Sequence, residues 1–101
     1  MLMKKIIEGK KLILFAEDDL VINVVRVLTE KVKEMICEDD GISEVEVDIS
    51  TVKSIDSTGV SFLVSLYKTA IKDRKKFAVV GASKQIEKLF KLMKLEKLFS
   101  I

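Results

Sequence analysis

Histidine, proline and tryptophan are absent from this sequence, and cysteine occurs once, as Cys37. Without histidine there is no His-based catalytic triad and no Cys/His zinc site, and one thiol cannot close an intramolecular disulfide. Aromatic residues make up only 6% of the chain, so the core must be built from Val, Ile, Leu and Met. Neither sign of charge dominates: 18 basic residues against 16 acidic ones leave +2, far from the concentrated excess that wraps nucleic acid. No apolar run approaches the roughly 20 residues that cross a bilayer. The opening Met1-Leu2-Met3-Lys4-Lys5 meets charge at once, which argues against a signal peptide. A cytoplasmic domain without cofactor or metal is the expectation. Only hydroxyl, carboxylate, lysine and thiol chemistry remain for catalysis, so an enzyme is not expected.

What is present suits a globular fold. Apolar residues supply 49% of the sequence and charged ones 34%, and 101 residues make one domain spanning 1–101. Lys5-Ile6-Ile7-Glu8 and Leu12-Ile13-Leu14-Phe15 read as two strands around a Gly9-Lys10 turn. Asp18 or Asp19 offers an N-cap for a helix running to about Cys37, with Val21, Val25, Leu28, Val32, Met35 and Ile36 as its apolar stripe. Glu38-Asp39-Asp40-Gly41 reads as its stop. Glu44-Val45-Glu46-Val47-Asp48-Ile49 alternates strictly, so its three carboxylates face water and helices cover only the other side.

A second helix is expected over 58–73, burying Val60, Leu63, Val64, Tyr67 and Ile71. Phe77-Ala78-Val79-Val80 reads as a more fully buried strand. The last helix starts near Ser83, buries Ile86, Leu89, Phe90 and Met93, and frays into Leu95, Leu98 and Phe99. The order β-β-α-β-α-β-α with right-handed crossovers on one face gives an α/β fold: a mostly parallel sheet of about four strands in the order 1-2-3-4, its first pair antiparallel.

Ser50-Thr51-Val52-Lys53-Ser54-Ile55-Asp56-Ser57-Thr58-Gly59-Val60 carries the chemistry. Asp56, Ser57 and Thr58 are three successive cap formers where one is enough. Gly59 stands inside the first turn, where glycine costs about 1 kcal/mol against alanine; it allows another molecule's backbone to come close, or lets the loop turn tightly. A hydroxyl at a helix N-terminus suits phosphorylation, because free N–H groups and the helix dipole favour the added charge. A partner seated over the same helix end would be repelled.

Ile55-Asp56-Ser57-Thr58-Gly59-Val60 resembles the signature of bacterial anti-sigma-factor antagonists in the STAS family. Val45-Glu46-Val47-Asp48-Ile49-Ser50 is similar to the strand before that motif, and Phe77-Ala78-Val79-Val80-Gly81-Ala82-Ser83 to the next strand and helix start. The resemblance implies a phosphoprotein of transcription regulation, a protein–protein switch with Ser57 as phosphoacceptor; the neighbouring hydroxyl of Thr58 is the fallback acceptor. Unphosphorylated, such a protein binds an anti-sigma factor that is itself a serine kinase and thereby frees a sigma factor. The kinase phosphorylates it with ATP and releases it, and a PP2C-type phosphatase resets it. Asp56 is implied to orient the loop and touch the partner, and Asp19, in Ala16-Glu17-Asp18-Asp19, to face it; no direct nucleic acid or membrane contact is implied.

Plainer readings stand beside these. Asp56-Ser57-Thr58-Gly59 also suits an ordinary helix cap. Phe62 and Leu66, four apart and off the expected stripe, read as an apolar docking patch beside Ser57 or as partly covered surface. Lys84, Lys88, Lys91 and Lys94 read as a solvated helix edge, and Cys37 as a half-buried small hydrophobe. The oligomeric expectation is a monomer or weak dimer. The rival functions are a non-cycling STAS scaffold and a nucleotide- or lipid-sensing domain in a signalling assembly.

Overall fold

The computed structural model describes residues 3–38 and 41–101, apart from the side chain of Val27. Met1, Leu2 and the Asp39-Asp40 of the expected helix stop lie outside the described residues. The elements follow as β1 (Met3–Glu8), β2 (Lys11–Ala16), α1 (Ile22–Cys37), β3 (Glu44–Asp48), α2 (Ser57–Lys72), β4 (Lys76–Val80) and α3 (Lys84–Leu92). The sheet order is β1-β2-β3-β4, with β1 and β2 antiparallel and the later pairs parallel, as the alternation of strand and helix dictates. Gly9 takes φ 59° at the first central position of the two-residue β1–β2 turn, a backbone state that a side chain disfavours.

One face of the sheet supplies the core. Leu12, Leu14, Val45, Val47, Phe77 and Val79 join Val25, Leu28, Val32 and Ile36 of α1 in a single buried cluster. On the other face Glu44, Glu46 and Asp48 are half-buried, and Lys11 meets Glu46 at 3.5 Å. β4 is therefore not buried on both sides: Ala78 and Val80 share the open face with the carboxylates and are only half-covered.

Three other details depart from the sequence reading. α1 begins at Ile22 with Val21 as an N-cap that offers no side-chain bond, because the carboxylates expected to cap it are used elsewhere. Cys37 is exposed, being the last residue of α1. The segment after α3 does not fray. Phe99 is fully buried against Phe90, with ring centroids 5.0 Å apart, and its carbonyl accepts from Val79 N–H at 2.9 Å. Aromatic packing and a backbone bond to β4 hold it in place.

α2 is rotated relative to expectation. Its buried residues are Gly59, Val60, Phe62, Leu63, Leu66 and Ala70, while Ile71 is 48% exposed. Residues 59, 62, 63, 66 and 70 themselves follow helical spacing, and they lie opposite the exposed arc of Ser57, Ser61, Lys68 and Lys72. The expectation that Phe62 and Leu66 form an exposed docking patch is thus corrected: they are 2% and 0% exposed, covered by the sheet and α1.

Candidate functional site

Two loops at the same end of the sheet are stitched together: β2–α1 (17–21) and β3–α2 (49–56). Leu20 N–H donates to Ser54 O at 3.2 Å and Asp56 N–H to Leu20 O at 3.3 Å, a short parallel bridge between Leu20 and Ile55. Two carboxylates lock it from opposite sides. Asp19 Oδ1 accepts from the backbone N–H groups of Lys53 at 2.8 Å and Ser54 at 3.1 Å. Asp56 answers in the other direction: its Oδ1 accepts from Gly59 N–H at 2.8 Å and its Oδ2 from Ile22 N–H at 3.1 Å. One side chain therefore caps both helices, which explains why α1 has no cap of its own.

Those bonds set the electrostatics of the Asp19 end. The backbone N–H groups of Lys53 and Ser54 hold its carboxyl below the ordinary value of 3.8; the Lys53 charge adds a smaller pull, against mild desolvation.

Gly59 is required by this stitching. A Cβ there would lie 2.0 Å from the Leu20 carbonyl oxygen and 2.7 Å from Ile55 Cγ1. The backbone that approaches this glycine belongs to the chain's own β2–α1 loop, so its expected place in a partner contact is corrected: the residue is buried.

Ser57 is the first residue of α2 and is exposed, with Thr58 half-buried beside it. Among the described residues the amides of Ser57 and Thr58 have no hydrogen-bond partner, because Asp56 serves Gly59 through its side chain and Val60 through its carbonyl. A charge on Ser57 would thus meet unpaired donors and the positive end of a 16-residue helix.

The sequence reading missed the apolar surface next to this end. A shallow groove beside α2 is lined by Val60, Ser61, Val64, Ser65, Lys68, Met93 and Leu95, with Ser61 one turn along from Ser57. Met93, expected in the core, is 47% exposed there because α3 ends one residue earlier, and Ile22 is 43% exposed at the start of α1. The position of Ser61 on the face of Ser57 was the available signal. Of the residues singled out from sequence, the structure brings Asp19, Asp56, Ser57, Thr58 and Gly59 together and places Phe62 and Leu66 in the core.

With this geometry, the match of residues 5–100 to the family model "Mlab, STAS domain" spans nearly the whole chain. The chain belongs to the STAS family. The crystal structure of TM1081 from Thermotoga maritima, a candidate anti-sigma factor antagonist, superposes with a TM-score of 0.84 at 22% identity, covering 94% of this chain and 80% of that one. The anti-sigma factor antagonist SpoIIAA in its unphosphorylated form superposes with a TM-score of 0.71 at 12% identity, covering 89% of this chain and 82% of that one. No curated protein sequence matches the chain. Among the described residues no helix is long and apolar enough to cross a membrane.

Proposed function

We propose that this chain is an anti-sigma-factor antagonist, without catalytic activity of its own, whose docking is controlled by phosphorylation of Ser57. The observation that carries the reading is the exposure of Ser57 at the mouth of α2, on a loop pair braced by Asp19 and Asp56. The fold shared with SpoIIAA, a protein known in an unphosphorylated form, supports it.

The unphosphorylated surface docks an anti-sigma factor with serine kinase activity over the α2 N-terminus and the neighbouring groove. Transfer of the γ-phosphoryl group of ATP to Ser57 Oγ breaks the bond from the γ-phosphorus to the bridging oxygen, releases ADP and the hydroxyl proton, and adds roughly −1.5 to −2 of charge at pH 7. Within the domain that charge is accepted by the free amides and the helix dipole. In the complex it is excluded from water and lies next to the Asp56 carboxylate, so the partner leaves. A penalty of about 3 kcal/mol lowers affinity more than a hundredfold. A PP2C-type phosphatase restores the hydroxyl.

Incubation with a serine kinase of the anti-sigma type and ATP, followed by intact-mass measurement, tests acceptance. One phosphate is expected on the parent and none on Ser57→Ala. Equal phosphorylation of Ser57→Ala would remove Ser57 from the role and leave Thr58 as the acceptor to examine.

A further inference from the structure

The two outer edges of the sheet are treated differently. At β4, Phe99 and Ser100 cover the edge: the Phe99 carbonyl accepts from Val79 N–H and Ser100 Oγ–H donates to the Phe77 carbonyl. Among the described residues nothing covers β1 in this way, and every residue from Lys4 to Lys10 is exposed. An open edge with exposed Ile6 (38%) and Ile7 (45%) is a template for another strand.

The hydrogen-bond parity of that edge follows from its neighbours. Lys10 O accepts from Ser43 N–H, so Lys10, Leu12 and Leu14 bond towards β3 and Lys11, Ile13 and Phe15 towards β1. Their partners Glu8, Ile6 and Lys4 therefore bond inward to β2, which leaves the backbone groups of Lys5 and Ile7 pointing out. The two-residue turn closed by Glu8 and Lys11 gives the same parity.

We infer that a second copy of this chain docks along β1, antiparallel, with the dyad passing through Ile6. This register pairs the outward Lys5 with the outward Ile7 of the other copy, which satisfies the parity. It also sets Lys4 opposite Glu8 and Ile6 opposite Ile6 at the closer, non-hydrogen-bonded positions on the open face. Among the described residues neither Lys4 nor Glu8 has an ion-pair partner, and each finds one across the dyad. On the helix face, Lys5 keeps its ion pair with Glu38 at 2.9 Å while its methylene stem lies along the other copy's Ile7. Shifting the dyad to Lys5 would set Lys5 against Lys5, and shifting it to Ile7 would set Lys4 against Lys10, so charge selects the register. The lysines that ordinarily protect an edge here become half of a self-complementary pattern. Two continuous four-stranded sheets form one of eight strands, and both Ser57 sites stay open because β1 takes no part in them.

Sedimentation equilibrium over a range of concentrations reads the association. The parent should pass from monomer to dimer as concentration rises. Lys4→Glu and Glu8→Lys alter exposed side chains, and each alone should weaken self-association roughly tenfold by opposing like charges twice. An equimolar mixture of the two, and the double variant Lys4→Glu/Glu8→Lys, should each recover it, because complementary charges face each other again. Ile7→Pro, which removes an outward N–H and no bond to β2, should remain folded by circular dichroism and monomeric. A parent that stays monomeric throughout, single variants that associate like the parent, or a mixture that fails to recover overturns the inference.

Discussion

Asp56 was legible as a cap, but its double duty was not. Ile22 and Asp56 are 34 positions apart, and only the pairing of Leu20 with Ile55 brings them together. Cap removal costs about 1 kcal/mol per helix, so Asp56→Ala should lose about 2 kcal/mol and lower Tm by roughly 10 °C. Ser83 caps one helix alone, accepting from Ile86 N–H at 3.3 Å among the described residues, and Ser83→Ala should cost about half as much in the same thermal melt. Gly59→Ala drives a Cβ into the Leu20 carbonyl and should cost about 3 kcal/mol or more, measured by urea unfolding. Asp19 sets a pH dependence. Its folded value is depressed, so its contribution is complete above pH 3.8, the unfolded value, and is lost as pH falls through the lower folded value. Asp19→Asn should therefore flatten the acid limb of the stability–pH curve; an unchanged limb would assign that limb to other carboxylates.

Among the elements, strands were read more reliably than helix faces. Strict alternation in β3 determined its two sides because a period of two leaves one choice of face. In α2 two neighbouring stripes are both apolar, 59-62-63-66-70 and 60-64-67-71, so apolar periodicity alone does not select between them. The polar arc of Ser57, Ser61, Lys68 and Lys72 did hold the answer. Phe62→Ala and Leu66→Ala are now expected to act on stability, losing about 3–5 and 2–5 kcal/mol in denaturant unfolding. Ser61→Lys, on the groove beside Ser57, should instead leave Tm nearly unchanged and weaken partner binding in calorimetry. The segment after α3 was misread for another reason: its anchor, Phe99, packs on Phe77 and Phe90, a contact between distant parts of the chain that helical periodicity does not show.

For the whole molecule, β-β-α-β-α-β-α order, a one-sided acidic strand and the right-handed crossover rule were enough to derive the sheet order and the face on which the helices lie. The site followed in part, because a helix N-terminus with successive cap formers is a local pattern, whereas the two-loop brace that supports it is built from contacts between distant residues. That brace fixes the Ser57 end of α2 without using the Ser57 side chain, so the proposed switch requires that charge added there leave the domain folded. The most direct measurement is calorimetric titration of the proposed anti-sigma partner with the unmodified and the Ser57-phosphorylated chain, with both forms checked by thermal melting. The expected result is two forms with closely similar Tm and an affinity at least a hundredfold lower for the phosphorylated one. Equal affinity of the two folded forms, or unfolding on phosphorylation, would contradict it.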